Sequence, residues 1–96
     1  MAFTVRAKGK RFPLGERWIR RFTIDEVDNT GSSVDLTGFG VHFIESIVAA
    51  QDIEAATAVV VCKNSLTNSP TEDDPGKLFV QTASGTDDVD ITLIYR

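Results

Sequence analysis

Apolar and polar residues alternate along most of this chain. Toward the C-terminus Val89, Ile91, Leu93 and Tyr95 alternate with Asp90, Thr92, Ile94 and Arg96, the two-residue period of a strand with one buried face and one wet face. Residues 17–25 place Trp18, Arg20, Phe22 and Ile24 on one side and Arg17, Ile19, Arg21 and Thr23 on the other. Residues 3–8 set Phe3, Val5 and Ala7 against Thr4, Arg6 and Lys8, which predicts a short edge strand with a basic face. Residues 34–38 lead into 39–44, where Phe39, Val41 and Phe43 share a side. Residues 57–63 form a near-continuous β-branched run, read as a strand buried on both faces, and residues 77–82 are a further strand. The expected core is Trp18, Phe22, Ile24, Leu36, Phe39, Val41, Phe43, Val59, Val61, Leu78, Val80, Ile91 and Leu93.

Punctuation between these runs supports the same reading. Gly9, Pro13 and Gly15 predict a turn after the first strand, and in residues 28–33 Asn29 and Gly31 can take the positive φ of a tight return. Residues 64–76, with two prolines and Glu72-Asp73-Asp74, read as a long exposed loop that is mobile until a neighbouring subunit orders it. Only residues 46–56 have helix-forming composition, and Ile47, Val48 and Ile53 make a poor helical stripe there, so a short helix stays open. Six or seven strands joined by turns predict an all-β chain, an antiparallel sandwich or small barrel.

Length limits this to one domain spanning 1–96 with room for one core. Apolar residues at 42% and charged residues at 25% are those of an ordinary globular protein. No apolar run approaches the roughly 20 residues that cross a bilayer, so no membrane partner is expected. The first eight residues carry Arg6 and Lys8 where an export signal needs its apolar stretch, so synthesis in the cytoplasm is expected. The single cysteine, Cys62, lies in an apolar run and reads as a buried structural thiol.

Charge changes the picture more than composition does. Residues 1–21 hold seven cations against Glu16, a net +6, while residues 22–96 hold thirteen Asp and Glu against three cations, a net −10. Such asymmetry bears on partners rather than on fold. A single-strand nucleic-acid site would suit basic residues near Trp18 and Phe12, but the acidic remainder and a pI near 4.8 repel phosphates, so a protein partner is expected. The predicted contact residues are Arg6, Lys8, Lys10, Arg11, Arg17 and Arg21, with Glu72, Asp73 and Asp74 on the acidic side.

Chemistry is sparse. The chain has no phosphate-binding glycine loop, no cysteine pair and no paired-histidine metal spacing. His42 reads as a packed or surface residue. Glu72-Asp73-Asp74 and Asp87-Asp88-x-Asp90 offer carboxylates for Ca²⁺ or glycoside chemistry, but both read as solvated loop charge. No enzyme activity, cofactor or metal is expected.

Gly15-Glu16-Arg17-Trp18-Ile19-Arg20-Arg21-Phe22-Thr23-Ile24, the turn through Asn29 and Gly31, and Val34-Asp35-Leu36-Thr37-Gly38-Phe39-x-Val41 together resemble the N-terminal immunoglobulin-like domain of phage baseplate upper proteins. The resemblance covers residues 9–45, about a third of the chain. In its D-L-T-G step, Asp accepts backbone N–H bonds, Leu plugs the end of a sandwich and Gly permits a sharp bend into the next strand. It implies an immunoglobulin-like β-sandwich in a bacteriophage virion, present in many symmetric copies and bound to other virion proteins. A capsid decoration or cement protein comes first among the implied roles, with a tail, neck or baseplate connector as the alternative. A loop-based carbohydrate- or ligand-binding β domain is the rival from another class.

Overall fold

Seven strands and one 3-10 turn form in the computed structural model, which describes residues 4–83 and 85–96. In chain order they are β1 Val5–Leu14, β2 Arg17–Asp28, β3 Ser32–Asp35, the 3-10 turn Thr37–Phe39, β4 Ile44–Asp52, β5 Val59–Lys63, β6 Lys77–Thr82 and β7 Thr86–Tyr95. All pairings are antiparallel, in a four-stranded sheet ordered β1-β2-β7-β4 and a three-stranded sheet ordered β3-β6-β5. The fold is an all-β sandwich.

Alternation in β7 decides which residues fill the space between the sheets. Val89, Ile91, Leu93 and Tyr95 are fully buried, beside Phe22, Ile24 and Val27 of β2 and Ile44 of β4. Val34, Leu36, Val41, Leu78 and Val80 complete the same cluster. The Phe22 ring meets Phe39 edge-on at 5.6 Å between centroids and Tyr95 at 6.3 Å, within the range where aromatic pairs add to simple burial. Of the expected core, Trp18, Phe39, Phe43, Val59 and Val61 are only half-buried. Val27, Val34, Ile44, Val89 and Tyr95 join the core beyond that expectation.

Several elements differ from the sequence reading. Phe3 lies outside the described residues, and β1 continues to Leu14, through the Gly9 and Pro13 that signalled a turn; the chain reverses only at Gly15 and Glu16. An edge strand tolerates this, because Pro13 needs no ladder partner on its open side. Residues 46–56 hold no helix. Their first part is β4, which pairs with β7 through two irregularities, and the hydrogen-bond ladder outweighs the helical preference of Ala and Gln. Residues 39–43 are not a strand either: Asp35 accepts the N–H and hydroxyl of Thr37 at 3.0 and 2.6 Å, which starts the 3-10 turn. Leu36 then plugs the core, as the D-L-T-G reading expects. The left-handed residue is Gly40, at φ 81°, rather than Gly38. β5 is not buried on both faces, since Val60 is 47% exposed; Cys62, on the same strand, is buried.

Residues 64–76 form a loop that is exposed over 66–70 and at 72 and 73, as expected, but its ends are tied to the body of the fold. Asn64 is fully buried, its side-chain oxygen accepting Ile44 N–H at 3.0 Å and Gly76 N–H at 3.3 Å while its amide donates to the Ile44 carbonyl at 2.7 Å. Further along, Ser33 Oγ donates to the Leu66 carbonyl at 3.0 Å. The 28–33 turn forms, with Gly31 but not Asn29 at positive φ: Asp28 accepts from the N–H groups of Thr30 and Gly31, both at 3.1 Å, and Gly31 adopts φ +89° against the Phe79 ring. A Cβ at Gly31 would lie 2.1 Å from that ring, so only glycine fits.

Phe22→Ala is expected to cost about 3–5 kcal/mol in chemical denaturation, whereas Val60→Ala on the wet face stays within about 0.5 kcal/mol. Asn64→Ala orphans the Ile44 and Gly76 amides, each costing about 1–3 kcal/mol, and should speed proteolysis within residues 66–73. Equal stabilities for Phe22→Ala and Val60→Ala would show that the assignment of the buried face is wrong.

Candidate functional site

β1 and β2 part company in the middle of their hairpin. Lys8 pairs with Arg21 and Phe12 with Ile19, which leaves Gly9, Lys10 and Arg11 opposite Arg20 alone. Arg20 fills the space under this bulge, its Nη2 donating to the Gly9 carbonyl at 2.9 Å. On the side of the sheet away from the core, the displaced strand opens a groove of about 550 Å³, lined chiefly by Lys8, Lys10, Phe12, Ile19 and Arg21. Strand parity explains the lining. Phe22 and Ile24 point inward, so Ile19 and Arg21 point outward, beside their partners Phe12 and Lys8 on β1 and Ile94 and Thr92 on β7.

The groove therefore has an apolar pair, Phe12–Ile19, continued on β7 by Ile94 beside it, next to a polar row, Lys8–Arg21–Thr92. Phe12 is 66% exposed and Leu14 46%. Monomeric surfaces tolerate scattered apolar side chains, and here an exposed aromatic ring lies at the mouth of a groove rimmed by cations, which makes it the candidate contact surface.

The predicted contact residues divide into three groups. Lys8, Lys10 and Arg21 line the groove, with Arg21 also 3.9 Å from Asp90. Arg6 pairs with Asp25 at 2.7 Å, and Arg17 pairs with Glu45, which Arg96 also contacts at 2.9 Å. The hydrogen bond from Arg17 holds the Glu45 carboxyl below the usual carboxylate range, with Arg96 and Lys63 adding to the effect. Arg11 lies over the Trp18 ring at 3.7 Å, so it covers the indole instead of reaching outward. Glu72, Asp73 and Asp74 sit on the β5–β6 connection of the other sheet and are not brought to the groove.

A second surface was not anticipated. Asp87 and Asp88 belong to β7, not to a loop. At that end of the sheet β4 finishes at the buried Asp52, which accepts N–H bonds from Glu54 and Ala55, both at 2.9 Å, and a hydroxyl bond from Thr57 at 2.6 Å. Burial pushes the Asp52 carboxyl up, but these bonds and one from Asp87 outweigh it and hold Asp52 well below the usual range. Asp87 moves the other way, to about 6, chiefly through its hydrogen bond with Asp52, with burial and the charges of Asp52, Glu54 and Asp88 adding to it. The sequence signal was the D-D-x-D spacing, but its partner Asp52 is 35 residues away. Among the described residues no group of three or more His, Cys, Asp or Glu side chains is placed to hold a metal ion.

Stability should follow these two carboxyls in opposite senses. Between about 3.9, the ordinary aspartate value, and about 6, folded Asp87 keeps a proton that the unfolded chain has lost. Raising pH through that window therefore lowers stability. Asp52, with Asp28, Asp35 and Glu45, is held low, and its contribution is present above about pH 4 and lost below. The melting temperature is expected to peak near pH 4–5, and Asp87→Asn should flatten the fall toward pH 7 while leaving the acid side. A wild-type melting temperature that does not fall between pH 4.5 and 7 counts against this carboxylate pair.

Compared with known proteins, the chain matches no family model, no curated protein and no solved structure.

Proposed function

We propose that the chain is a non-enzymatic structural subunit of a bacteriophage particle, a decoration or cement protein that attaches to neighbouring virion subunits through the groove between β1 and β2. The groove carries the contact role: an exposed Phe12 and Ile19 floor, with Lys8, Lys10 and Arg21 around it, suits an apolar segment flanked by carboxylates. The virion setting rests on the resemblance of residues 9–45, and the buried Leu36 behind its Asp35 cap is compatible with it.

Contact through the face of the hairpin suits this edge better than strand addition does. The bulge interrupts the β1 ladder, and Pro13 removes a donor, both of which discourage pairing with a foreign strand. The carbohydrate-binding alternative would need an open aromatic platform; Arg11 covers the indole of Trp18, which leaves Phe12 as the exposed ring.

Attachment to particles stripped of the protein tests this reading. Lys8→Glu with Lys10→Glu should slow association roughly tenfold at low salt and less at high salt, because exposed rim charges act mainly on encounter. Phe12→Ser should weaken retention at every ionic strength. Normal attachment by both variants, each melting like the parent, would place the contact surface elsewhere.

A further inference from the structure

The acidic end of the four-stranded sheet is complementary to the groove. Asp52 fixes the turn after β4 through its bonds to Glu54, Ala55 and Thr57, and Ile53 N–H donates to the Asp88 carbonyl at 3.0 Å. This turn holds Ile53 at the surface, 47% exposed. Glu54 accepts the Asp88 N–H at 3.2 Å, and Asp88 accepts the Glu26 N–H at 3.2 Å. Among the described residues Glu26, Glu54, Asp87 and Asp88 make no ion pair. One end of the sheet thus presents an apolar side chain ringed by uncompensated carboxylates on a rigid turn.

The groove presents the reverse, an apolar floor ringed by cations, and Lys8 and Lys10 have no carboxylate partner among the described residues. The two surfaces do not meet within one chain. Ile19 pairs with Ile94 toward the start of β2 and the end of β7, whereas Val27 pairs with Asp87 at the opposite ends of the same strands.

We propose that the groove of one copy receives the Ile53 turn and its carboxylates from a second copy, so that the chain assembles head to tail. This deepens the preceding section and rests on its identification of the groove as the contact surface. The contact is heterologous, so each joined pair leaves one groove and one turn unused, and assembly proceeds to a ring or an open row. Closely spaced carboxylates also repel one another, a smaller contribution to the raised Asp87 carboxyl than its hydrogen bond with Asp52 and its burial. Cations brought by a neighbour relieve that repulsion. The same turn is already ordered by Asp52, so little conformational freedom is lost on binding.

Sedimentation of the purified chain, together with two variants, tests the inference. Lys8→Glu with Lys10→Glu disables the groove, and Ile53→Lys disables the turn; both sites are at or near the surface, and melting curves establish that each variant is folded. The wild-type mass is expected to rise above the 10.5 kDa of one copy with concentration at low salt, and to fall back at about 1 M salt, where screening reaches only about 3 Å. Each variant alone is expected to stay monomeric. Their mixture is expected to form a one-to-one dimer and nothing larger, because only one intact groove and one intact turn remain. A wild type that stays monomeric at every concentration, variants that self-associate like the parent, or a mixture that forms no dimer overturns the proposal. If the wild type is monomeric yet the Lys8→Glu, Lys10→Glu variant still fails to attach to stripped particles, the groove remains the contact surface and a second copy is excluded as its occupant.

Discussion

Burial of one side of β7 is the constraint on which the remaining structure depends. Val89, Ile91, Leu93 and Tyr95 are all fully enclosed, with β2 on one edge of the strand and β4 on the other. A slip of one residue would turn all four into water and Asp90, Thr92, Ile94 and Arg96 into the core. At about 25 cal/mol per Å² of apolar surface, no local preference in β2 or β4 competes with that loss. The register of β7 therefore also settles the register of its neighbours. Through them it decides that Ile19, Arg21, Thr92 and Ile94 form the outer surface beside the groove.

The widest departure from ladder pairing is in β1. Three of its residues oppose Arg20 alone; the Arg20 guanidinium ties the detour to β2 through the Gly9 carbonyl, and Arg11 stacks on the Trp18 indole. Two arginines of the basic stretch are thereby committed to structure. Arg6 and Arg17 are engaged by Asp25 and Glu45. Exposed ion pairs of this kind add little stability, but they neutralise their charges locally. The positive field is consequently concentrated at Lys8, Lys10 and Arg21, around the groove.

The opposite end of the same sheet carries the compensating charge without compensating pairs. Asp52 is buried and fully hydrogen-bonded, while Asp87 and Glu54 are both pushed above their usual range by neighbouring carboxyls. Such crowding is unfavourable within one chain. The hydrogen bonds that organise Asp52, together with the β7 core, sustain it, and the electrostatic demand remains directed outward. A small fold thereby presents surfaces of opposite character at the two ends of one sheet.

Period-two alternation was enough to place β2 and β7, because each has one face that must be buried and each burial depends on side chains a few residues apart; β6 instead buries Leu78, Phe79 and Val80 in succession. The Asp28 turn and the cap at Asp35 were legible for the same reason: their hydrogen bonds close over two or three residues. Charge asymmetry likewise singled out the basic N-terminal stretch, where the proposed groove lies. Partners distant in sequence decided the rest. β1 runs through Gly9 and Pro13 because β2 lies alongside it, and residues 44–52 are a strand because β7 offers an unfilled edge. The two ends of the 64–76 loop are tied down because Asn64 reaches Ile44 across 20 residues and also holds Gly76. Which cations face outward, and the meeting of Asp52 with Asp87, depend on the bulge and on the β4–β7 pairing. Those are contacts between segments far apart in the chain, whose energies no local pattern of residues expresses.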